Sequence, residues 1–588
     1  MYITEVVRPY ANGKSSRCVL LRESYRHNGK VKNRTLANLT ALPAEAIEAI
    51  KQVLRRPHPA PAAQAARACA EGGEAKAVRP EVVIEQGLSV GAVATVYQVA
   101  QRLGIAQVLG RSQQGKLALW QVMARVIQPA SRLASVRLAR EHAACDLLGI
   151  EQAFCEDDLY ANLAWLSERQ GRLEKALFAR RASGAAELFL YDVTSSYLEG
   201  EHNAFGAYGY NRDKKRGKQQ IVVGLLTDAE GEPVSVEVFQ GNTQDVTTLS
   251  AQVHKLAQAF GCQRVTLVGD RGMIKQKGIE ALQAADFYFI SAITKPQIET
   301  LLSQQTFKIT QFGSVPGEVV VDADGNGNGN GNGDGDGKGD GDGSSMRTMR
   351  YILKRNPVRA QELAENRQSK KAAVLKRLAA CNEKLANSPR AQLRVARRQV
   401  QSMLKKLKLE GWLSVRKRRA QRALYLREDE AALQTQSQLD GCYVIRTDLP
   451  SQAASAQTVH ERYRDLAQVE QGFRTCKTTH LELRPWFVTC PASTRGHALV
   501  VMLAYKIVRE LSRCWQGFDI EVLEALEALK QITLDRVHIA GYAAFQQVPT
   551  PRPALRQWLE AAEIELPQTL PHLGTRVVTR KNISKSRK

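Results

Sequence analysis

Three acidic residues stand where carboxylates can do chemistry. Asp192 follows the apolar run LFLY and Asp270 closes RVTLVGD, so each is presented at a strand whose apolar residues anchor it. A carboxylate there is costly unless it is paired, caps a helix or holds a metal. For Asp270 capping stays open, because Arg271-Gly272 can begin a turn. Glu470 lies in a helical stretch in which Tyr463, Glu470, Arg474 and Lys477 are spaced by seven, four and three and share one face. Alone, that stripe reads equally well as ion pairs on a solvent face. Together, carboxylates from two strands and a helix can hold two hard cations, magnesium or manganese, which prefer oxygen ligands. Two such ions about 4 Å apart can activate a water or a 3′-hydroxyl and stabilise the leaving oxygen of an in-line displacement at phosphorus. The expected chemistry is phosphodiester hydrolysis and strand transfer.

Other polar residues read more plainly. Thr194, Ser195 and Ser196 have no His placed to activate them, and His202, His254 and His497 read as surface or core positions. Asp245 is expected to cap the helix that follows it. Cysteines such as Cys18, Cys69, Cys145, Cys262 and Cys442 form no CxxC pair, which fits reduced thiols and argues against zinc.

The elements that must position the acids are legible from the apolar period. From Glu187 the chain reads as the strand ELFLYDVTSSYLEG, then QIVVGLLTD and PVSVEVFQGN joined at Ala229-Glu230-Gly231. The helix DVTTLSAQVHKLAQAFG, the strand RVTLVGD, the helix KQKGIEALQAA and the strand DFYFISAI follow. This β-β-β-α-β-α-β order predicts an α/β core of ribonuclease H-like type, a mixed five-stranded sheet with helices, whose acids fall on its first and fourth strands.

Around that core the organisation is modular. Residues 1–45 read as a β-hairpin module with turns at Asn12-Gly13 and Asn28-Gly29, 46–87 as an Ala/Pro/Arg-rich linker, and 88–182 as a helical DNA-binding domain. The core occupies 185–300 and resumes at 455–515 with the Glu-bearing helix. Between them, 301–454 is an insertion domain holding basic helices and the Gly/Asn/Asp stretch 324–345, which reads as a flexible loop rather than a calcium site because the bidentate Glu is missing. Trp412 in LEGWLSV reads as a core residue, with stacking on an unpaired base as the alternative. Residues 516–588 read as a C-terminal helical region and a basic tail.

These residues resemble the DDE transposases of bacterial insertion sequences, in the branch whose third acid sits in a Y-x2-R-x3-E-x6-K signature. Tyr463, Glu470 and Lys477 fall in register, while Leu466 occupies the Arg position. YDVTSSYLEG, GNTQD, VGDRGMI, DGCYVIRTD and VEQGFRTCK also resemble this family. The resemblance implies catalytic and metal-holding roles for Asp192, Asp270 and Glu470. It implies contacts to the transposon end from Tyr463 and Lys477, with Arg464 or Arg474 in the Arg role; Arg271 is a further candidate DNA contact. It also implies terminal inverted repeats and target DNA as partners, a homodimer in the synaptic complex, and a cytoplasmic, nucleoid-associated setting.

Bulk properties agree with a polyanion partner. The 588 residues carry 83 Lys+Arg against 59 Asp+Glu, a formal charge of +24. The longest apolar stretch, Ala498 to Val508, is too short to span a bilayer and contains Lys506. Three alternatives stand beside a transposase: another nuclease on the same core, a DNA-binding regulator derived from a transposase, and an RNA-binding protein. The last lacks the aromatic-rich sheet signature of common single-strand modules.

Overall fold

The computed structural model describes most of the chain; residues 1, 10–14, 28–29, 43–45, 48–49, 52–81, 182–187, 201, 211, 214, 272, 322–346, 419–420, 478–479, 540–543, 572–576 and 579–588 lie outside the described residues. Both expected hairpin turns, the loop 324–345 and nearly all of the basic tail fall there.

At the amino end, β1 (Tyr2–Pro9), β2 (Ser15–His27) and β3 (Lys30–Asn38) form an antiparallel meander. It packs through Val19, Leu21 and Leu39 against a second small sheet that includes β4 (Val82–Glu85). Helices follow: α1 (Gly91–Arg102), α2 (Ile105–Leu109), α3 (Gln113–Ile127), α4 (Arg132–Glu141), α5 (Ala144–Leu148) and α6 (Glu156–Ala179). Ser112 and Ser131 cap α3 and α4 by accepting the backbone N–H groups of Gly115 and Ala134, each at 3.2 Å.

The period then switches to two. Strands β5 (Leu188–Tyr197), β6 (Gln220–Asp228) and β7 (Pro233–Gln240) are antiparallel neighbours. After α7 (Asp245–His254) come β8 (Thr266–Gly269), α8 (Gln276–Ala284) and β9 (Tyr288–Ala292), and β8 runs parallel to both of its neighbours, β5 and β9. Helix α7 begins at Asp245 itself, with Gln244 as its N-cap, one residue before the expected cap.

Next come α9 (Lys295–Ser303), β10 (Gly317–Val321), β11 (Met349–Arg355), α10 (Pro357–Asn387), α11 (Leu393–Lys406), β12 (Leu413–Lys417), β13 (Leu424–Glu428), α12 (Glu430–Gln438) and β14 (Cys442–Thr447). Then follow α13 (Ala456–Arg464), α14 (Leu466–Lys477), α15 (Pro491–Cys514), α16 (Val522–Leu529), β15 (Asp535–Ile539), β16 (Phe545–Gln547) and α17 (Pro553–Ala561).

The central sheet has eight strands among the described residues, in the order β10-β11-β14-β9-β8-β5-β6-β7, where five were expected. The expected five are contiguous within it. The other three come from 301–454 because Ile352, Leu353, Val444 and Ile445 are apolar enough to bury on both faces of the sheet. What stands apart is 357–438, whose helices and β12–β13 hairpin close around Val374, Val400, Leu404, Trp412 and Leu424. Trp412 is buried at 4% exposure.

Two further boundaries move. The helices of 91–179 share one continuous apolar cluster with the sheet and with α15, so they have no core of their own. A Cβ at Gly496 would overlap the Leu163 carbonyl, which is why α15 can lie so close to α6. Residues 82–85, read as linker, pair with β15, and β16 completes a small sheet inside a region read as helical. Short strands with few apolar positions leave little period to detect.

Candidate active site

Strand β5 sets the first acid. Phe189, Tyr191 and Val193 enter the apolar cluster on one face of the sheet, and Leu190 enters the cluster on the other. Asp192 therefore shares the Leu190 face, the one covered by α14 through Leu466, Val469 and Phe473. Strand β8 pairs Leu190 with Val268 and Tyr191 with Gly269, so Asp192 and Asp270 are the next step of that parallel register. Val268 lies in the α14-side cluster, and Asp270, two residues on, keeps its parity. The third acid, Glu470, follows buried Val469 on α14 and is itself exposed.

The three carboxylates share one electrostatic field. Burial first, and then Asp270 and Glu470, push the Asp192 carboxyl up to about 7, against the Val193 N–H and Arg212, which pull it down. Asp192 Oδ1 accepts the Val193 N–H at 2.7 Å, and Asp270 Oδ1 accepts the Arg271 N–H at 2.6 Å. The Asp270 carbonyl also accepts the Met273 N–H at 3.0 Å, so a turn does begin there. The phenol of Tyr463 donates to Asp270 Oδ1 at 3.4 Å, and burial followed by the Asp270 charge raises its pKa. Tyr463 and both strand acids are thus brought together.

Turned onto their own backbone, the carboxylates do not converge. Among the described residues no three His, Cys, Asp or Glu side chains stand close enough to hold one ion as placed. The donor set nonetheless fits a hard divalent cation. It is all oxygen, and a cation would offset both the burial that chiefly raises Asp192 and the lesser repulsion from Asp270 and Glu470.

The remaining candidates are scattered around this centre. Arg271 and Arg464 are exposed. Arg474, also exposed, lines a groove of about 930 Å³ with Arg509 and Arg513. Lys477 is half-buried: its Nζ donates to the Ser195 carbonyl and to Asp213 Oδ1 at 3.0 Å, and burial lowers its pKa while Asp213 raises it. Leu466, at the signature's Arg position, is buried under the sheet, so no charge replaces that Arg in place.

The structure adds residues that spacing did not single out. In the loop between β5 and β6, Arg212 donates to the Val193 carbonyl and lies in the field of Asp192. Asp213 accepts from Lys477, Arg484 and the Tyr197 N–H, tying the loop to α14 and to the segment after it. The signal was present as the charged run NRDKKRGK, with an acid among cations. Thr194, Ser195 and Ser196 are buried and His497 lies against Arg132 at 3.0 Å, so none of these four is presented as a nucleophile or base.

A large mixed sheet places two acids at adjacent strand positions, with a third on the covering helix. Residues 183–507 match the family described as transposase DDE domain, and residues 5–63 match the N-terminal domain of IS1634 family transposases. The first match spans more than half of the chain, which belongs to the DDE transposases of insertion sequences and catalyses transposition. This family is one of divalent-metal enzymes.

No curated protein matches the chain. Among solved structures it is similar to a piggyBac transposase synaptic complex with hairpin DNA, at 9% identity and TM-score 0.34, over 70% of this chain and 69% of that one. It is also similar to a Mos1 transposase paired-end complex with left transposon end, at 12% identity and TM-score 0.14, over 28% of this chain and 59% of that one. These likenesses are too loose to carry residues across.

Proposed function

We propose that Asp192, Asp270 and Glu470 are the catalytic carboxylates of a cut-and-paste transposase that nicks at terminal inverted repeats and joins the freed 3′ ends to target DNA. The observation that carries this reading is the β5–β8 register, which sets Asp192 beside Asp270 on the face covered by α14, where burial first and then the charges of Asp270 and Glu470 raise the Asp192 carboxyl to about 7. Two magnesium or manganese ions held by these carboxylates would supply charge neutralisation and a more acidic water or hydroxyl at the reacting phosphate.

The chain's own groups do the positioning. The β5–β8 register fixes Asp192 beside Asp270, and the Tyr463 phenol orients the Asp270 carboxylate. Arg212 offsets part of the acidic field and ties the β5–β6 loop to the β5 backbone. Arg271, Arg464 and Arg474 are exposed cations that suit phosphate contacts, and Tyr463 suits an end contact. Lys477 acts on DNA only by giving up Asp213; as it stands it braces the loop.

DNA would run between the core and the inserted unit. A cavity of about 470 Å³ there is lined by Arg271 and Lys295 on one side and by Arg359, Lys370 and Lys408 on the other. The helical region 91–179 and the amino-terminal meander would grip the repeats, and two protomers would hold paired ends. A gel shift showing one protomer per complex with single-end cleavage would sink the dimer.

The test is cleavage and joining on a supercoiled plasmid carrying the element's ends, with magnesium or manganese. Wild type is compared with Asp192→Ala, Asp270→Ala and Glu470→Ala. Metal-dependent joining lost in all three variants is expected. Cleavage without joining would indicate another nuclease, and end binding without chemistry in the wild type a regulator. An active Glu470→Ala would show the third acid to be misassigned.

A further inference from the structure

Helix α14 carries Glu470 over the sheet, and its hold on the sheet is chiefly apolar. Leu466, Val469, Phe473 and Cys476 enter the cluster to which Leu190, Leu225 and Val268 contribute from the strands. Apolar burial has no direction, so this stripe keeps the helix down without setting how far it slides or rolls. A misplacement of about 1 Å is enough to spoil a catalytic constellation. Directional contacts must fix the setting.

Those contacts lie at the two ends of α14. At the start, Gln468 Nε2 donates to the Ala229 carbonyl at 3.2 Å. At the end, Lys477 Nζ donates to the carbonyl of Ser195, which lies on the same strand as Asp192, and to Asp213 Oδ1 at 3.0 Å. Arg484 adds a second hold. Its Nη1 donates to the same Oδ1, and its Nε donates at 3.2 Å to the Lys477 carbonyl, one of those a helix end leaves open.

These ties meet at Asp213. Its side chain is 2% exposed and that of Lys477 is 11% exposed. Asp213 Oδ2 accepts the N–H of Tyr197, the last residue of β5, at 3.1 Å. Beside it, Arg212 donates its backbone N–H to Ser195 Oγ at 3.0 Å and its guanidinium to the Val193 carbonyl. One carboxylate thus joins the strand of Asp192, the last residue of α14 and the segment that follows. An exposed ion pair would contribute little, whereas a buried carboxylate drawn away from its cations would stand uncompensated and so resists the move.

We infer that Asp213 is a positioning residue: it locks the end of α14 to β5 and so fixes Glu470 against Asp192 and Asp270, with Lys477 serving as the link and not as a DNA contact. Asp213 acts through Lys477, which stands seven residues, about 10 Å along the helix axis, from Glu470. The inference rests on the assignment of the three acids as the set that holds the divalent cations.

The test measures manganese binding to the full chain by electron paramagnetic resonance at pH 8, above the Asp192 pKa of about 7, and end binding by gel shift. Glu470→Gln is expected to weaken manganese binding about tenfold, and Asp213→Asn to weaken it to a similar extent. In the Glu470→Gln background, adding Asp213→Asn should change the affinity by less than about twofold, because the acid it positions is already gone. Lys477→Met should repeat the Asp213→Asn result. It also serves where Asp213→Asn does not fold, since it leaves Asp213 paired with Arg484. Its end binding should match wild type, with the slope of log affinity against log salt unchanged. Full manganese affinity in Asp213→Asn and Lys477→Met, or a further loss of about tenfold in the Glu470→Gln background, overturns the lock. A salt slope reduced by about 1 in Lys477→Met would put that lysine on a phosphate and overturn it too. If Glu470→Gln binds manganese like wild type, the third acid is misassigned; amide exchange across 466–477 that stays unchanged in Asp213→Asn refutes the lock independently.

Discussion

The strands that carry Asp192 and Asp270 and the helical unit inserted at 357–438 are built on different plans. Strand β6 is buried along its whole length and β5 feeds apolar clusters on both faces, so the acids are held by neighbours from several parts of the chain. The inserted unit encloses its own small cluster, and most of α10 and α11 faces solvent with Lys and Arg. Position is over-determined in the first region. In the second, charge is displayed on a scaffold that touches the sheet through few residues. A catalytic centre that must hold carboxylates against their mutual repulsion needs the first plan, and a phosphate-binding surface needs only the second.

The largest expected effect lies in the sheet. Asp192→Asn or Asp270→Asn should lower metal-dependent cleavage by on the order of 10³-fold or more while end binding in a gel shift persists. Retained cleavage would break the contrast at its root. Next in size, Leu404→Ala in the inserted unit should cost roughly 2–5 kcal/mol, lost locally. Hydrogen exchange should then accelerate across 357–438 and leave β5 and β8 protected. Exchange rising equally in both regions would show that the two are one cooperative unit.

A third test uses pH. The folded Asp192 pKa of about 7 lies above the ordinary carboxylate value of 3.8, so the folded chain binds more protons than the unfolded chain between those values. Stability of the metal-free chain should therefore fall as pH rises from about 4 to 7, and Asp192→Asn should flatten this component in urea titrations. By the same sign, manganese affinity should rise up to tenfold per pH unit below about 7 and level off above it. Affinity independent of pH would remove Asp192 from the cation site.

The smallest effect is expected in the display surface. Lys370→Ala or Lys408→Ala should weaken end binding a few-fold, uniformly across sequences. Each should reduce the slope of log affinity against log salt by about 1. An unchanged slope would mean that the basic cavity between core and insertion does not meet DNA.

How much of this was readable beforehand differs by element. The strands with long apolar runs and the helix with Glu470 stand out because burial on a regular element imposes a period on the sequence. Strands β4, β15 and β16 do not, because short partners drawn from opposite ends of the chain leave no local pattern. The acids were legible one by one, and their types and strand contexts already imply oxygen-ligated cation chemistry. Lys477 was legible as a cation of the stripe, but not as the partner of Asp213.

The sequence by itself determined the chemistry available to this protein: three carboxylates on predictable elements, a strong positive charge, and motifs of an insertion-sequence transposase. Only the tertiary structure decided which groups meet. The β5–β8 register makes Asp192 and Asp270 neighbours, and the fold sets Arg212 beside Asp192 and Asp213 against Lys477. Local preference and apolar period act over a few residues, whereas burial, register and the fields between charges depend on residues hundreds of positions apart.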